Sequence, residues 1–150
     1  MNEIVVGVDG SEESRAALAW AVEEGRLRQA PVLAVHAWEM PMMPAPTGLV
    51  PPSVEVVGDL TELREDAADL VETMVRETAA DAADVEVRPL TVEDKPVKAL
   101  LDAAERNDAQ MIVVGSRGHG GFVALLIGST SDQVARHATC PVVIHRQRRG

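Results

Sequence analysis

The order of apolar runs predicts an α/β domain of the doubly wound, Rossmann-like kind, with a five-stranded, mainly parallel sheet and helices on both faces. Three observations carry this. Short runs rich in β-branched residues alternate with longer stretches of helical periodicity. The runs Ile4–Val8, Val32–Ala37 and Met111–Val114 are apolar almost throughout, as strands covered on both faces are. At 150 residues, 46% hydrophobic and 25% charged, the chain has the size and balance of a single globular domain. The alternation implies right-handed crossovers, and in such sheets ligands bind beyond the carboxyl ends of the strands, where the strand order reverses. The turns after Val8, Ala37 and Val114 are therefore where a site is expected.

Each element has its own signal. The first strand ends at Asp9-Gly10, and Ser11 is placed to cap a helix with Glu12 and Glu13 in its first turn. Ala17, Leu18, Ala21 and Val22 form that helix's apolar stripe, which runs to about Gln29 before Pro31 interrupts it. After the second strand, residues 38–58 carry five prolines and Met40, Met42 and Met43, which predicts a flexible loop. A helix over about Leu60 to Ala80 follows, with Leu63, Ala67, Leu70, Val71 and Met74 on one face. Val85–Leu90 alternates as a less buried strand does, and Pro89 suits a sheet edge. Pro96 near its start and the stripe Val97, Leu100, Leu101 and Ala104 mark a helix ending near Asn107. A last helix begins near Ser129 and a last strand covers Val142–Ile144.

Composition excludes some functions. A net charge of −10 repels polyanions at long range, and 2% aromatic residues leave few platforms for bases, so nucleic acid is not expected as a partner. No stretch reaches the roughly 18 apolar residues of a membrane span. A lone Cys140 and an N-terminus without a basic region and apolar run suit the cytoplasm.

The segment richest in chemistry is Gly115-Ser116-Arg117-Gly118-His119-Gly120-Gly121, with Gly128-Ser129-Thr130-Ser131 opening the next helix. Glycines admit close approach, and inward-turned N–H groups with a helix N-terminus make a pocket for an anion such as phosphate. Neither the GxxxxGK[ST] loop nor the GxGxxG fingerprint is present. The spacing GxxG, nine residues, GS over Gly115, Gly118, Gly128 and Ser129 resembles the ATP-binding signature of the universal stress protein family. The resemblance extends to Val8-Asp9-Gly10-Ser11, Leu33–Ala37 and Cys140–Ile144.

The resemblance implies an adenine nucleotide alpha hydrolase-like fold and ATP as ligand, with Mg held indirectly through Asp9. Gly7 and Asp9 would border the adenosine, and Ala37 would meet adenine through its backbone. Val114, Gly115 and Gly118 would line ribose and phosphates, with Gly128, Ser129, Thr130 and Ser131 on the phosphate chain. It also implies a homodimer through the strand Val142–Ile144. From the residues themselves, a turn or capping aspartate is the competing reading of Asp9, with ligand contact preferred, and His36 reads as a hydrogen-bonded structural histidine. Arg117 and His119 read as exposed loop side chains. The function expected is nucleotide-responsive regulation in stress, set against a slow ATPase or a nucleotide-free dimeric module.

Overall fold

The computed structural model describes residues 2–40, 54–117 and 127–147. In chain order it contains β1 (Ile4–Gly7), α1 (Glu12–Arg28), β2 (Val32–Trp38), α2 (Val54–Thr78) and β3 (Val87–Glu93). These are followed by α3 (Pro96–Arg106), β4 (Met111–Gly115), α4 (Ser129–His137) and β5 (Val142–His145). The strands form one sheet in the order β3-β2-β1-β4-β5, and every pairing is parallel. The expected mainly parallel sheet is thus parallel throughout.

Alternation along the strands builds two cores. Ile4, Val6, Val8, Val32, Ala34, Met111 and Val113 face α1 and α2, where they meet Ala17, Leu18, Ala21, Val22, Val71 and Met74. Val5, Leu33, Val35, Ile112 and Val114 face the other way, onto Ala99, Leu100, Ala103 and Ala104 of α3 and Val134 of α4. Cys140 packs partly into this second layer, and burial pushes its thiol pKa up, which fits a small hydrophobe rather than a reactive thiolate. The alternation seen in three strands is therefore the cause of the layered architecture, with β1 sealed on both faces.

The boundaries of β2, α2 and β3 differ from the expectations. β2 continues through Trp38, and α2 begins at Val54 rather than near Leu60, so both ends of the segment read as a loop belong to regular elements. The valines and Gly58 at the start of α2 lower helix propensity by fractions of a kcal/mol to about 1 kcal/mol each, too little to stop a helix of this length. The prolines and methionines between 41 and 53 lie outside the described residues. β3 starts at Val87 and runs three residues past Leu90, because its ladder follows the seven residues of β2 from Val32↔Val87 to Trp38↔Glu93. Pro89 lies on this edge strand opposite Ala34, where a missing N–H leaves no central ladder bond open. Lys95 is the N-cap residue of α3, and Asp94 accepts from the Lys95 N–H at 2.8 Å and from Lys98 Nζ at 2.7 Å.

At the amino end of the sheet one ionic contact reaches into the interior. Glu3 is almost fully buried, at 2% exposure, and its carboxylate accepts a hydrogen bond from the half-exposed Arg88 guanidinium on β3. A buried carboxylate that loses its cation keeps its desolvation penalty. Arg88→Met is expected to lower the unfolding free energy by about 2–3 kcal/mol in urea denaturation at neutral pH. A change within about 0.5 kcal/mol would show that Glu3 draws nothing from this pair.

Candidate functional site

The connectivity itself opens a crevice. Strand β1 leaves through α1 toward β2 on one side, while α3 returns the chain to β4 on the other. Beyond the carboxyl ends of β1 and β4 the connections diverge, the switch point at which α/β sheets bind ligands. A cavity of about 440 Å³ lies there, within the range of small-molecule sites.

Nine of the ten residues singled out in the sequence line this cavity: Gly7, Asp9, Ala37, Val114, Gly115, Gly128, Ser129, Thr130 and Ser131. The tenth, Gly118, lies outside the described residues, as does His119. The lining divides by chemistry. Val35, Ala37, Pro96, Leu100 and Val114 contribute apolar surface from β2, α3 and β4. Asp9, Ser14, Arg117 and the first turn of α4 contribute polar groups.

The turn from β1 into α1 is held by hydroxyls. Ser11 is the N-cap, its Oγ accepting from the Ser14 N–H at 3.2 Å and donating to Asp9 Oδ1. The Ser11 N–H also donates to Asp9 Oδ1, at 3.0 Å. Ser14 Oγ accepts from the Asp9 N–H at 3.2 Å and donates to the Ser11 carbonyl at 3.0 Å. Asp9 is thus a turn aspartate and a cavity-lining residue at once. Gly10 follows at φ 83°, a conformation that favours glycine. His36, as read from the sequence, is structural: its Nδ1 lies 2.8 Å from the Val8 carbonyl.

Two glycines are explained by the protein rather than by a ligand. A Cβ on Gly7 would come within 3.0 Å of Leu100 Cδ1, and one on Gly115 within 3.2 Å of the Glu13 backbone. Their absent side chains let α3 and the first turn of α1 close on the strand ends. Ser131 is likewise part of the frame, being buried and donating to the Gly115 carbonyl at 2.6 Å. This bond fixes the start of α4 on β4, and a second, from the Gly128 N–H to the Ser116 carbonyl at 2.8 Å, fixes the residue before it.

The opening turn of α4 is suited to an anion. Gly128 is its N-cap and offers no side chain to cap the helix, so the N–H groups of Ser129, Thr130 and Ser131 have no intrahelical acceptor. They carry the positive end of the helix dipole. Arg117, read as an exposed loop residue, lines the cavity with its side chain 29% exposed and lies 3.5 Å from Glu13 Oε1. Ser14 and Leu100 were also missed as site residues. The serine had a signal in its place three residues after the N-cap, whereas nothing local to Leu100 shows that Gly7 lies beneath it.

The comparisons agree with this architecture. The profile of the universal stress protein family matches residues 1–146. Universal stress protein Rv2623 of Mycobacterium tuberculosis is 33% identical over 144 residues, covering 96% of this chain and 45% of that protein. The chain spans about half the length of the curated relatives it matches first. Among solved structures, universal stress protein UspA from Lactobacillus plantarum superposes with a TM-score of 0.79 at 22% identity, covering 97% of each chain. A universal stress protein in complex with cAMP superposes with a TM-score of 0.66 at 26% identity, covering 96% of each chain. A family match over nearly the whole length, on a sheet of the same architecture, places this chain in the universal stress protein family.

Proposed function

We propose that this chain is an ATP-binding member of its family, acting in the cytoplasm as a nucleotide-responsive regulator in stress. The observation that carries the reading is the cavity at the β1/β4 switch point, where an apolar wall and the uncapped N-terminus of α4 share one space. Val35, Ala37, Pro96 and Leu100 offer the flat apolar surroundings that a purine base favours, and Ala37 can meet its edge through the backbone. The N–H groups of Ser129–Ser131 and the hydroxyls of Ser129 and Thr130 are donors for a phosphate chain. A related universal stress protein holds cAMP, which supports an adenine nucleotide as the ligand class.

Mg fits this site as a companion of the phosphates. It prefers one or two carboxylates completed by phosphate oxygens and water, and Asp9 is the one carboxylate among the described residues lining the cavity. Asp9 Oδ1 already accepts from the Ser11 N–H and Oγ, so an indirect contact through water suits it better than direct ligation. When bound, the cation would neutralise phosphate charge. Binding of nucleotide to one conformation in preference to another would then shift the protein's population without any chemical step.

The proposed homodimer would form through β5. This strand is an edge of the sheet, and all four of its residues are only half buried. The Pro141 and His145 carbonyls accept from the N–H groups of Ile112 in β4 and of Ser116 just beyond it, so Val142 and Ile144 turn their backbone groups outward, where a second copy could pair.

Two outcomes follow. Thr130→Glu places a carboxylate in the first turn of α4, where the helix dipole favours it and a bound phosphate does not. We expect melting temperature to hold or rise while calorimetric titration with ATP shows at least about tenfold weaker binding. Unchanged ATP affinity would remove the helix terminus from the site, and a native protein that neither carries nor titrates adenine nucleotide would sink the reading. For the dimer, sedimentation should give twice the chain mass, and Val142→Pro, at the first strand residue where proline is tolerated, should halve it. A wild-type chain that sediments as a monomer at every concentration tested would refute the dimer.

A further inference from the structure

We propose that Arg117 senses how many phosphates the ligand carries, and that Glu13 is a built-in competitor for its guanidinium. The inference rests on the nucleotide reading above and adds a specificity determinant to it. Arg117 is the only cationic side chain among the described residues lining the cavity. It sits two residues beyond the end of β4, whose Gly115 carbonyl receives the Ser131 hydroxyl at 2.6 Å. The guanidinium is thus rooted beside the same turn of α4 that presents three N–H donors.

Its present partner is a weak holder. Arg117 Nη2 and Glu13 Oε1 are 3.5 Å apart, beyond the 2.7–2.9 Å typical of a charge-assisted hydrogen bond. Both side chains are only partly exposed, at 29% and 20%, so the attraction is not fully screened, yet it lacks a tight bond. A guanidinium has five donors in a planar fork that matches two phosphate oxygens at once. Glu13 offers one formal charge, whereas a triphosphate offers several in the same region.

The position of Glu13 makes it a competitor rather than a bystander. Its backbone and Cβ pack on Gly115, which keeps Glu13 beside Arg117, while its Oε2 has only a long 3.4 Å contact from the Ser116 hydroxyl. Adenosine leaves the ion pair intact, and AMP places one phosphate at the α4 turn without outbidding Glu13. A longer phosphate chain draws Arg117 across. The pair therefore lowers affinity for every ligand that needs Arg117 and makes the ATP to AMP affinity ratio a property of two residues.

Calorimetric titrations with ATP, AMP and adenosine test this on the whole chain, with thermal unfolding to check each variant's fold. Arg117→Ala should weaken ATP at least about tenfold while AMP and adenosine change less than about twofold, and Arg117→Lys should recover part of the loss. Glu13→Gln should tighten ATP about three- to tenfold, and this gain should vanish when combined with Arg117→Ala. An ATP to AMP ratio unchanged in Arg117→Ala overturns the proposal, as does a Glu13→Gln gain that survives without Arg117. If the wild-type chain binds none of the three, the nucleotide reading itself falls. Binding of all three with unaltered ratios sinks only the role of the pair.

Discussion

Strand β1 pairs in parallel with β2 on one side and β4 on the other, and the chain leaving its carboxyl end can continue to only one of them. Because Val5 and Val6 are sealed from both faces, the strand cannot shift in register without exposing one core or the other. The opening beyond Gly7 and Gly115 is therefore a consequence of connectivity, fixed before any particular side chain lines it. Everything placed there is carried on a strand whose Ile4, Val5 and Val6 are fully buried.

The first turn of α1 converts that opening into a shaped site. Asp9, Ser11 and Ser14 exchange five hydrogen bonds, each worth about 1 kcal/mol net, which lock the exit of β1 to the start of the helix. Glu13 in the same turn rests on Gly115, so the ends of β1 and β4 are joined through one helical turn. Ser131 and Gly128 then attach α4 to the other side of β4. Four elements thus hold fixed positions around the cavity through contacts of single residues, which is what a preorganised binding site requires.

Sequence periodicity was enough to read this architecture, because both cores are built from alternation in the strands and regular stripes in α1, α2 and α3. Of the site residues, the loop glycines and the serine cluster are marked by turn chemistry at strand ends, whereas Gly7, Asp9, Ala37 and Val114 enter through the family resemblance. The reasons for those residues were less legible. The loop glycines, Gly115 among them, read as room for a ligand and Gly7 by resemblance as a border of the adenosine, and the structure shows Glu13 and Leu100 packed where their side chains would be. Ser131 was read as a donor to phosphate, and its hydroxyl donates to Gly115. A one-dimensional pattern shows that a position needs to be small or hydroxylated, while the neighbour that imposes the need is 16 residues away for Ser131 and more than 90 for Gly7. The start of α2 was hidden for a different reason: weak local helix propensity at its first residues is outweighed by a 25-residue helix anchored through Val71 and Met74.

Net charge and local charge act over different distances here. A chain carrying −10 repels anions at long range, but at physiological ionic strength that repulsion fades over about 8 Å. Inside the cavity the near field comes from the α4 N–H groups and Arg117, set against two carboxylates among the described residues: Asp9, whose Oδ1 is engaged by Ser11, and Glu13 beside Arg117. The oriented N–H groups present partial positive charge that cannot titrate away, and they lose no side-chain entropy on meeting an anion. An acidic surface and the proposed anion site are therefore compatible in one small domain: extended polyanions meet the screened negative exterior, while a compact anion entering the crevice would meet fixed dipoles at hydrogen-bond distance.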